Sequence, residues 1–196
     1  MKTALDVVVV GNVGVDTSVY FHGDFNVNVE SNYTLNLDNV GQAGGYTTRG
    51  FAQLGYQTAF FGYIGDDFCG RLVREEFVRD GIDLSGVAVD PAGTGRSVNL
   101  VYRDGRRINF YDGKSHMTLQ PDVNECRELL SRARLALFSI PNWARQVLPV
   151  ARNAGIPIAC DLQDIIDVHD PYRRDFIAGS DVLFFSSVNF PTPIPV

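Results

Sequence analysis

Residues 41–70 read GQAGGYTTRGFAQLGYQTAFFGYIGDDFCG, and this stretch decides the fold class. It places a glycine cluster, a short amphipathic segment, a strand-like run and a Gly-Asp-Asp turn in close succession. Gly41, Gly44 and Gly45 have no Cβ, so a polar ligand can approach the backbone, and the amides that open the following helix stay free to donate hydrogen bonds. Glycines before a helix also make tight turns without any ligand, so the cluster alone leaves both interpretations open.

A second candidate residue follows the apolar run at residues 7–10. The run continues as GNVGVD at residues 11–16, which predicts a buried strand that delivers Asp16 to its carboxyl end. Ligands of open α/β sheets bind at that edge. An ionised Asp16 can accept hydrogen bonds from vicinal hydroxyl groups, and sugar recognition is the natural use of such a carboxylate. Capping a helix or a turn is the alternative role.

Together the two segments resemble the N-terminal part of the PfkB-type carbohydrate kinases, the ribokinase-like family. In that family the first strand ends in a G-x-x-x-x-D pattern, which Gly11 and Asp16 match. A glycine pair then leads into a helix that ends in Leu-Gly, followed by a strand and a G-x-x-G-D-D-x-x-G turn. The matching positions here are Gly41, Leu54, Gly55, Gly62, Gly65, Asp66, Asp67 and Gly70.

The resemblance implies a ribokinase-like α/β fold, with a mainly parallel sheet flanked by helices, a small β lid, and the family's C-terminal third absent. Strand-like and helix-like segments alternate from about residue 46 onward, as βαβ units do, and residues 1–196 are expected to form a single truncated domain. Pro121-Asp122 and Asp67 are expected to open helices, and Gly81 to follow the end of one.

Two segments, at about 17–37 and 97–111, alternate polar and apolar residues in the manner of half-buried strands. The second contains an Asp104-Gly105 hairpin turn. By resemblance they form the β lid, which covers the sugar and often pairs with a second subunit, so a homodimer through the lid is expected. The alternative is an antiparallel extension of the main sheet.

Composition excludes several function classes. The net charge of −6 and the absence of a basic run argue against nucleic acid, and no apolar run approaches the length of a membrane span. The N-terminal residues form no secretory segment, so a cytoplasmic location is expected. The three cysteines suit reduced, mostly buried thiols, and the three histidines lack metal-ligand spacing. Small-molecule chemistry remains.

The resemblance assigns substrate binding to a set of residues near the glycines and on the lid: Asp16, Gly41, Gly44, Gly45, Tyr46 and Asn109. Tyr46 stands where the family usually has a sugar-contacting asparagine, and Gly14 replaces a second asparagine found in ribokinases. These departures favour an unusual sugar or a nucleoside-like ring over ribose. Asp66 and Asp67 are expected to shape the pocket and cap the next helix.

The nucleotide side of the site is implied by Asp161, Ser186 and Asn189. Asp161 matches an aspartate that ends a core strand, and residues 181–184 match the strand before an N-x-x-E motif that organises magnesium and phosphate. ATP and Mg²⁺ are therefore the expected cofactors of the intact family. Here the motif reads SSVN at 186–189, and Asn189 cannot supply the missing negative charge to a hard cation.

No G-x-G-D motif occurs in the 196 residues. In the family its aspartate is the general base and its amides form the anion hole, so no catalytic residue is assigned to this chain. Two hypotheses follow. Either the chain belongs to an ATP-dependent kinase for a hydroxyl of a sugar or nucleoside-like substrate, whose catalytic part lies outside it, or it is a non-catalytic sugar-binding or oligomerisation module on the same scaffold.

Overall fold

The computed structural model describes residues 4–165, 167 and 169–189, and ten strands build two separate sheets in this part of the chain. In chain order the strands are β1 (Leu5–Asn12), β2 (Gly14–Phe21), β3 (Thr34–Gly41), β4 (Thr58–Ile64), β5 (Asp83–Val89), β6 (Gly95–Val101), β7 (Arg107–Asp112), β8 (Ala133–Phe138), β9 (Ile158–Asp164) and β10 (Val182–Ser186).

The main sheet has the order β10-β9-β8-β1-β4-β5, and all of its neighbouring strands run parallel. β1 lies inside it, and the side chains of residues 7–10 are 3% exposed or less. A continuous apolar run is typical of a parallel strand that helices cover on both faces. The predicted α/β fold with a mainly parallel sheet is therefore confirmed.

Five α-helices and one 3₁₀ helix flank the main sheet: α1 (Gln42–Gln53), α2 (Phe68–Arg79), α3 (Val123–Leu130), the 3₁₀ helix Asn142–Gln146, α4 (Leu148–Ala154) and α5 (Arg174–Gly179). α1 and α2 pack on one face, where Phe77 of α2 meets Phe60 of β4. The later helices pack on the other face, where Trp143 and Phe176 join the core.

Three helix boundaries follow their sequence signals. The Asp67 carboxylate caps α2 by accepting from the Gly70 amide at 2.7 Å, and Asp122 caps α3 by accepting from the next amides of that helix. Gly81 follows α2 with a φ of 72°, a left-handed value that glycine adopts readily. Pro149 lies in the first turn of α4, where a residue needs no N–H for a helical hydrogen bond. The 3₁₀ helix that ends at Gln146 and α4, which begins at Leu148, are therefore separate elements.

The start of α1 differs from the prediction. The helix begins at Gln42 rather than near residue 46, so Gly44 and Gly45 lie in its first turn instead of in a loop before it. The Gln42 amide donates to Asp16 Oδ2 at 3.2 Å. A carboxylate from a distant strand therefore caps the helix, and local sequence carries no signal for such a cap.

The second sheet is the lid, with the order β3-β2-β6-β7. It is a separate sheet, so the alternative of an extended main sheet is wrong. The hairpin between β6 and β7 turns at Gly105, as predicted, and both lid segments begin a few residues earlier than expected, at Gly14 and Gly95. Asp16 lies within β2 and not at the end of β1, because β1 stops at Asn12 and one residue separates the two strands.

None of the helices among the described residues has the length and apolar character needed to cross a bilayer. Cys126 and Cys160 are buried free thiols, and Cys69 is half-buried. Burial raises the pKa of Cys126 and Cys160 to about 12, so both thiols stay protonated. The expectation of mostly buried cysteines is confirmed.

Candidate functional site

The best-formed polar site lies where β1 ends, the lid begins and α1 starts. Asp16 is at its centre and is only 7% exposed. One carboxylate oxygen, Oδ2, accepts from the Gln42 amide at 3.2 Å. The other, Oδ1, is buried and has no hydrogen-bond partner among the described residues. A buried carboxylate oxygen without a donor is costly, so this atom is a candidate for a ligand contact.

Gly41 allows Asp16 and Tyr46 to approach the same point of the backbone. A Cβ at Gly41 would lie 2.3 Å from Asp16 Oδ2 and 2.9 Å from the Tyr46 hydroxyl. Neither contact can be accommodated without moving a side chain of the site. The structure therefore brings three of the predicted substrate-binding residues together, and it does so through the missing side chain of the glycine.

Gly44 and Gly45 face the protein rather than the site. A Cβ at Gly44 would lie 2.5 Å from the Asn12 carbonyl oxygen, and one at Gly45 would lie 2.9 Å from Val13 Cγ2. The two glycines let α1 seat closely on the end of β1. Their contact with a ligand stays a prediction, while their packing role follows directly from these distances.

Tyr46 presents its hydroxyl to the Asp16 carboxylate while 54% of the residue remains exposed. Burial of the hydroxyl, followed by the negative charge of Asp16 and a hydrogen bond to that carboxylate, raises the pKa of Tyr46 to about 12. Tyr46 is therefore neutral at physiological pH and can both donate and accept a hydrogen bond.

The inner face of the lid adds polar groups above Asp16. Strand register aligns Asp16 with Ser97, and the next row along the same face pairs Asn99 with Asn109. The Asn109 amide donates to Asn99 Oδ1 at 2.9 Å. Asn109 thus shares the face of the lid that carries Asp16, as the sequence predicted, although its amide is engaged by a neighbour.

Below the lid is a narrow cleft of about 20 Å³ that sequence reasoning missed. Its polar and aromatic lining includes Asn12, Gln42, Tyr63, Asp90, Tyr111, His116 and Trp143. The sequence contained a signal for Asn12, because this residue ends a buried parallel strand, and ligands bind such sheets at the strand ends. Gln42 had none, since its place in the site follows from the early start of α1.

The Gly-Asp-Asp turn acts as predicted for Asp67. Beyond capping α2, its carboxylate accepts from the Thr94 amide at 2.8 Å and from the Thr94 hydroxyl at 2.7 Å. Burial of the carboxyl opposes ionisation, but the Thr94 and Gly70 hydrogen bonds outweigh it and lower the pKa of Asp67. The turn thereby ties α2 to the start of β6, while Asp66 points to solvent.

The predicted nucleotide side lies at the carboxyl ends of β9 and β10. Asp161 Oδ1 accepts from the Gln163 amide at 2.8 Å, and Ser186 Oγ accepts from the Val188 amide at 3.4 Å. Asn189 Nδ2 donates to Asp164 Oδ2 at 2.9 Å. Sequence reasoning did not single out Asp164, which the structure places beside Asn189.

These residues are a poor match for Mg²⁺ by themselves. Magnesium bound with a nucleotide usually takes one or two carboxylates together with phosphate oxygens. Asp164 is the carboxylate next to Asn189, and that amide already occupies one of its oxygens. Within the described ranges, no three His, Cys, Asp or Glu side chains are grouped so that they could hold a metal ion.

Comparison with known proteins decides the family. The family model for pfkB family carbohydrate kinases matches residues 5–186. The chain belongs to this family. The acarbose 7(IV)-phosphotransferase of Actinoplanes sp. is 36% identical over 115 residues, which cover 58% of this chain and 38% of that protein. The ribokinase of Arabidopsis thaliana is 27% identical over 140 residues, which cover 67% of this chain and 36% of that protein.

Solved structures agree with the family. A microbiome-derived acarbose kinase matches with a TM-score of 0.85 and 37% identity, over 95% of this chain and 62% of that one. Arabidopsis thaliana ribokinase, solved with ribose and ATP, matches with a TM-score of 0.75 and 24% identity, over 93% of this chain and 60% of that one, which shows the shared fold. The chain spans 36–49% of the length of the curated relatives it matches.

Proposed function

We propose that this chain carries the sugar-binding part of a kinase that transfers a phosphoryl group from ATP to a hydroxyl of a sugar or nucleoside-like substrate. One observation carries the proposal: the buried Asp16 carboxylate keeps one oxygen without a donor near the Tyr46 hydroxyl, on the polar face of the lid. A ligand hydroxyl would satisfy that oxygen.

Asp16 would bind and orient the substrate. A hydrogen bond from a ligand hydroxyl to an ionised carboxylate contributes roughly 1.5–3 kcal/mol. The Gln42 amide fixes the carboxylate through its other oxygen, and the free oxygen is buried, so a ligand must displace a neighbouring group to reach it. The lid would lie over the bound sugar and separate it from water, which strengthens these polar contacts.

The substrate class is supported by similarity and by Tyr46. Relatives named for acarbose and ribose phosphorylation support a carbohydrate, and the ribokinase solved with ATP supports ATP as the phosphoryl donor. Tyr46 supplies a partly exposed aromatic ring next to the carboxylate. Such a pair suits a ligand with an apolar face adjoining its hydroxyls, which sugars and nucleosides share. The residues at the ends of β9 and β10 would face the nucleotide.

Calorimetric titration of the chain with D-ribose, adenosine and acarbose tests the site. We expect at least one of these to bind, and Asp16→Asn to weaken it by about 1–3 kcal/mol with the fold intact, because the change removes charge and keeps shape. Asp38→Asn is the matched control, since Asp38 lies on the opposite lid face and accepts from Thr17 Oγ1 at 2.5 Å. If wild type and Asp16→Asn bind the ligand with equal affinity, Asp16 does not contact it.

The outer lid face supports a homodimer as a linked proposal. Val98 and Phe110 face each other across β6 and β7, with Ile108 nearby, and the three are 36%, 58% and 46% exposed. An apolar face of this kind on a thin sheet usually marks an interface. Sedimentation at micromolar concentration should show a dimer that Phe110→Asp dissociates. A monomeric wild-type chain would show that the lid does not form a dimer interface.

A further inference from the structure

Gln42 is unusual within the site because its backbone amide and its side chain both form hydrogen bonds with other segments of the chain. Its φ of 64° lies in the left-handed region, which costs a non-glycine residue free energy and persists only when the surroundings impose it. It is 7% exposed and lines the cleft under the lid. Its backbone amide donates to Asp16 Oδ2.

A chain of hydrogen bonds fixes which way the Gln42 carboxamide points. The Ser139 hydroxyl donates to Asn12 Oδ1 at 2.8 Å, so the amide nitrogen of Asn12 faces Gln42. That nitrogen donates to Gln42 Oε1 at 3.1 Å. Because Oε1 is used as the acceptor, Nε2 is the group that remains, and it has no hydrogen-bond partner among the described residues.

The backbone around Nε2 is shaped to leave room for it. A Cβ at Gly14 would lie 2.5 Å from Nε2, and a Cβ at Gly95 would lie 2.8 Å from it. These two glycines are the first residues of the lid strands β2 and β6. The Nε2 atom therefore lies beside the first residues of the two lid strands, in a space that a side chain at either position would fill.

Two buried polar atoms of complementary character thus lie in one site. Asp16 Oδ1 needs a donor, and Gln42 Nε2 needs an acceptor. A hydroxyl group is both donor and acceptor, so adjacent hydroxyls of one ligand can satisfy both atoms. A carboxylate alone would accept any donor, whereas the pair also needs an acceptor, and a polyol supplies both.

We propose that the Gln42 side-chain amide is a specificity determinant of this site, donating a hydrogen bond to a ligand hydroxyl next to the one that Asp16 holds. The proposal rests on the sugar-binding function proposed above and names the group that selects vicinal diols. Nε2 is covered in the present arrangement, where Gly14 and Gly95 pair across β2 and β6, so contact with a ligand requires this pair to move.

Gln42→Gly tests the proposal because glycine keeps the backbone amide for Asp16 and adopts the left-handed φ without strain, and circular dichroism should show that the variant is folded. Calorimetry with D-ribose and acarbose should show the dissociation constant of the sugar that binds rising roughly 3- to 10-fold, as expected for one lost hydrogen bond. Gln163→Gly is the matched control, since Gln163 has a φ of 61° on β9, and it should change the constant less than about twofold on the same scale.

Two readouts separate this proposal from the proposed function. The Gln42 side-chain amide resonance, identified by its loss in Gln42→Gly, should shift when the sugar binds to wild type. Binding that is weakened by Asp16→Asn but unchanged by Gln42→Gly, with an unshifted amide, would overturn the role of Gln42 and leave the function standing. No sugar binding by the folded wild-type chain would overturn the function, and the role of Gln42 with it.

Discussion

The two polar edges of this molecule are built differently. At the edge where β1 meets the lid, Asp16 and Gln42 are each 7% exposed, and their contacts join segments far apart in the chain. At the ends of β9 and β10 the polar contacts are mostly within two residues, as between Asp161 and Gln163, and every residue of β10 is exposed. The first edge is held by contacts between distant segments, and the second mostly by contacts within two residues.

This difference separates binding from chemistry. A buried group held by distant segments is fixed in place before the ligand arrives, which is what selective binding requires. Phosphoryl transfer needs groups fixed with similar rigidity around the transferred phosphate. The contacts of Asp16 and Gln42 have this character, whereas Ser186 accepts from an amide two residues away and Asn189 donates to Asp164.

The largest expected effect concerns turnover. The 196-residue chain has no G-x-G-D motif, and the family resemblance predicts that Asn189 takes the place of a glutamate. Lost anion-hole donors cost roughly 10²–10³ in rate, and a lost general base costs about 10²–10⁴. We expect no sugar-dependent ADP formation when the pure chain is incubated with ATP, Mg²⁺ and a sugar panel. Turnover that copurifies with the chain would show that the β9 and β10 edge is catalytically complete.

A pair of glycine substitutions in α1 tests how closely this helix packs on the end of β1. Gly44→Ala places a Cβ 2.5 Å from the Asn12 carbonyl oxygen, so we expect a loss of about 1–3 kcal/mol in the free energy of unfolding. Gly50→Ala lies in the same helix with open space around it and should gain roughly 0.5–1 kcal/mol. Urea unfolding of both variants measures the difference, and equal stabilities would mean that α1 is not seated on β1 as described.

A smaller effect is expected from pH through Tyr46. Burial of the hydroxyl and the charge of Asp16 raise the pKa of Tyr46 to about 12, against about 10 in an unfolded chain. The folded chain therefore keeps a proton that the unfolded chain loses in this range. The resulting stabilisation is complete below about pH 10 and disappears as the pH approaches about 12.

The difference in tyrosinate absorbance between wild type and Tyr46→Phe isolates this titration. Asp16→Asn should move the Tyr46 midpoint to lower pH, because it removes the neighbouring negative charge. A midpoint near the unfolded value in wild type, or one that Asp16→Asn leaves unchanged, would mean that the two side chains do not meet at Gly41.

Sequence predicted those parts of the molecule that local patterns determine. The continuous apolar run of β1, the caps at Asp67 and Asp122 and the turn at Gly105 each follow from neighbouring residues, and all are confirmed. The strands of the second sheet also followed from their alternating pattern, while their separation from the main sheet was implied by the family resemblance. These features depend on periodicity and turn chemistry, which a single sequence contains.

The site was predicted less completely, because it depends on contacts between distant segments. Asp16, Gly41 and Tyr46 do come together, but α1 starts early because Asp16 caps it from another strand. Gln42 enters the site for the same reason, and the Ser139 to Asn12 bond that orients it joins residues 127 positions apart. No local pattern encodes such a network.

Mapping sugar binding onto the backbone amides of the ¹⁵N-labelled chain tests the contrast between the two edges most directly. With the sugar that binds, D-ribose, adenosine or acarbose, we predict the largest amide shifts at Gly41, Gln42 and the lid residue Ser97, and none along β9 and β10. Shifts confined to β9 and β10, or a bound sugar that leaves Gly41 and Gln42 unperturbed, would contradict the assignment of the acceptor site to Asp16.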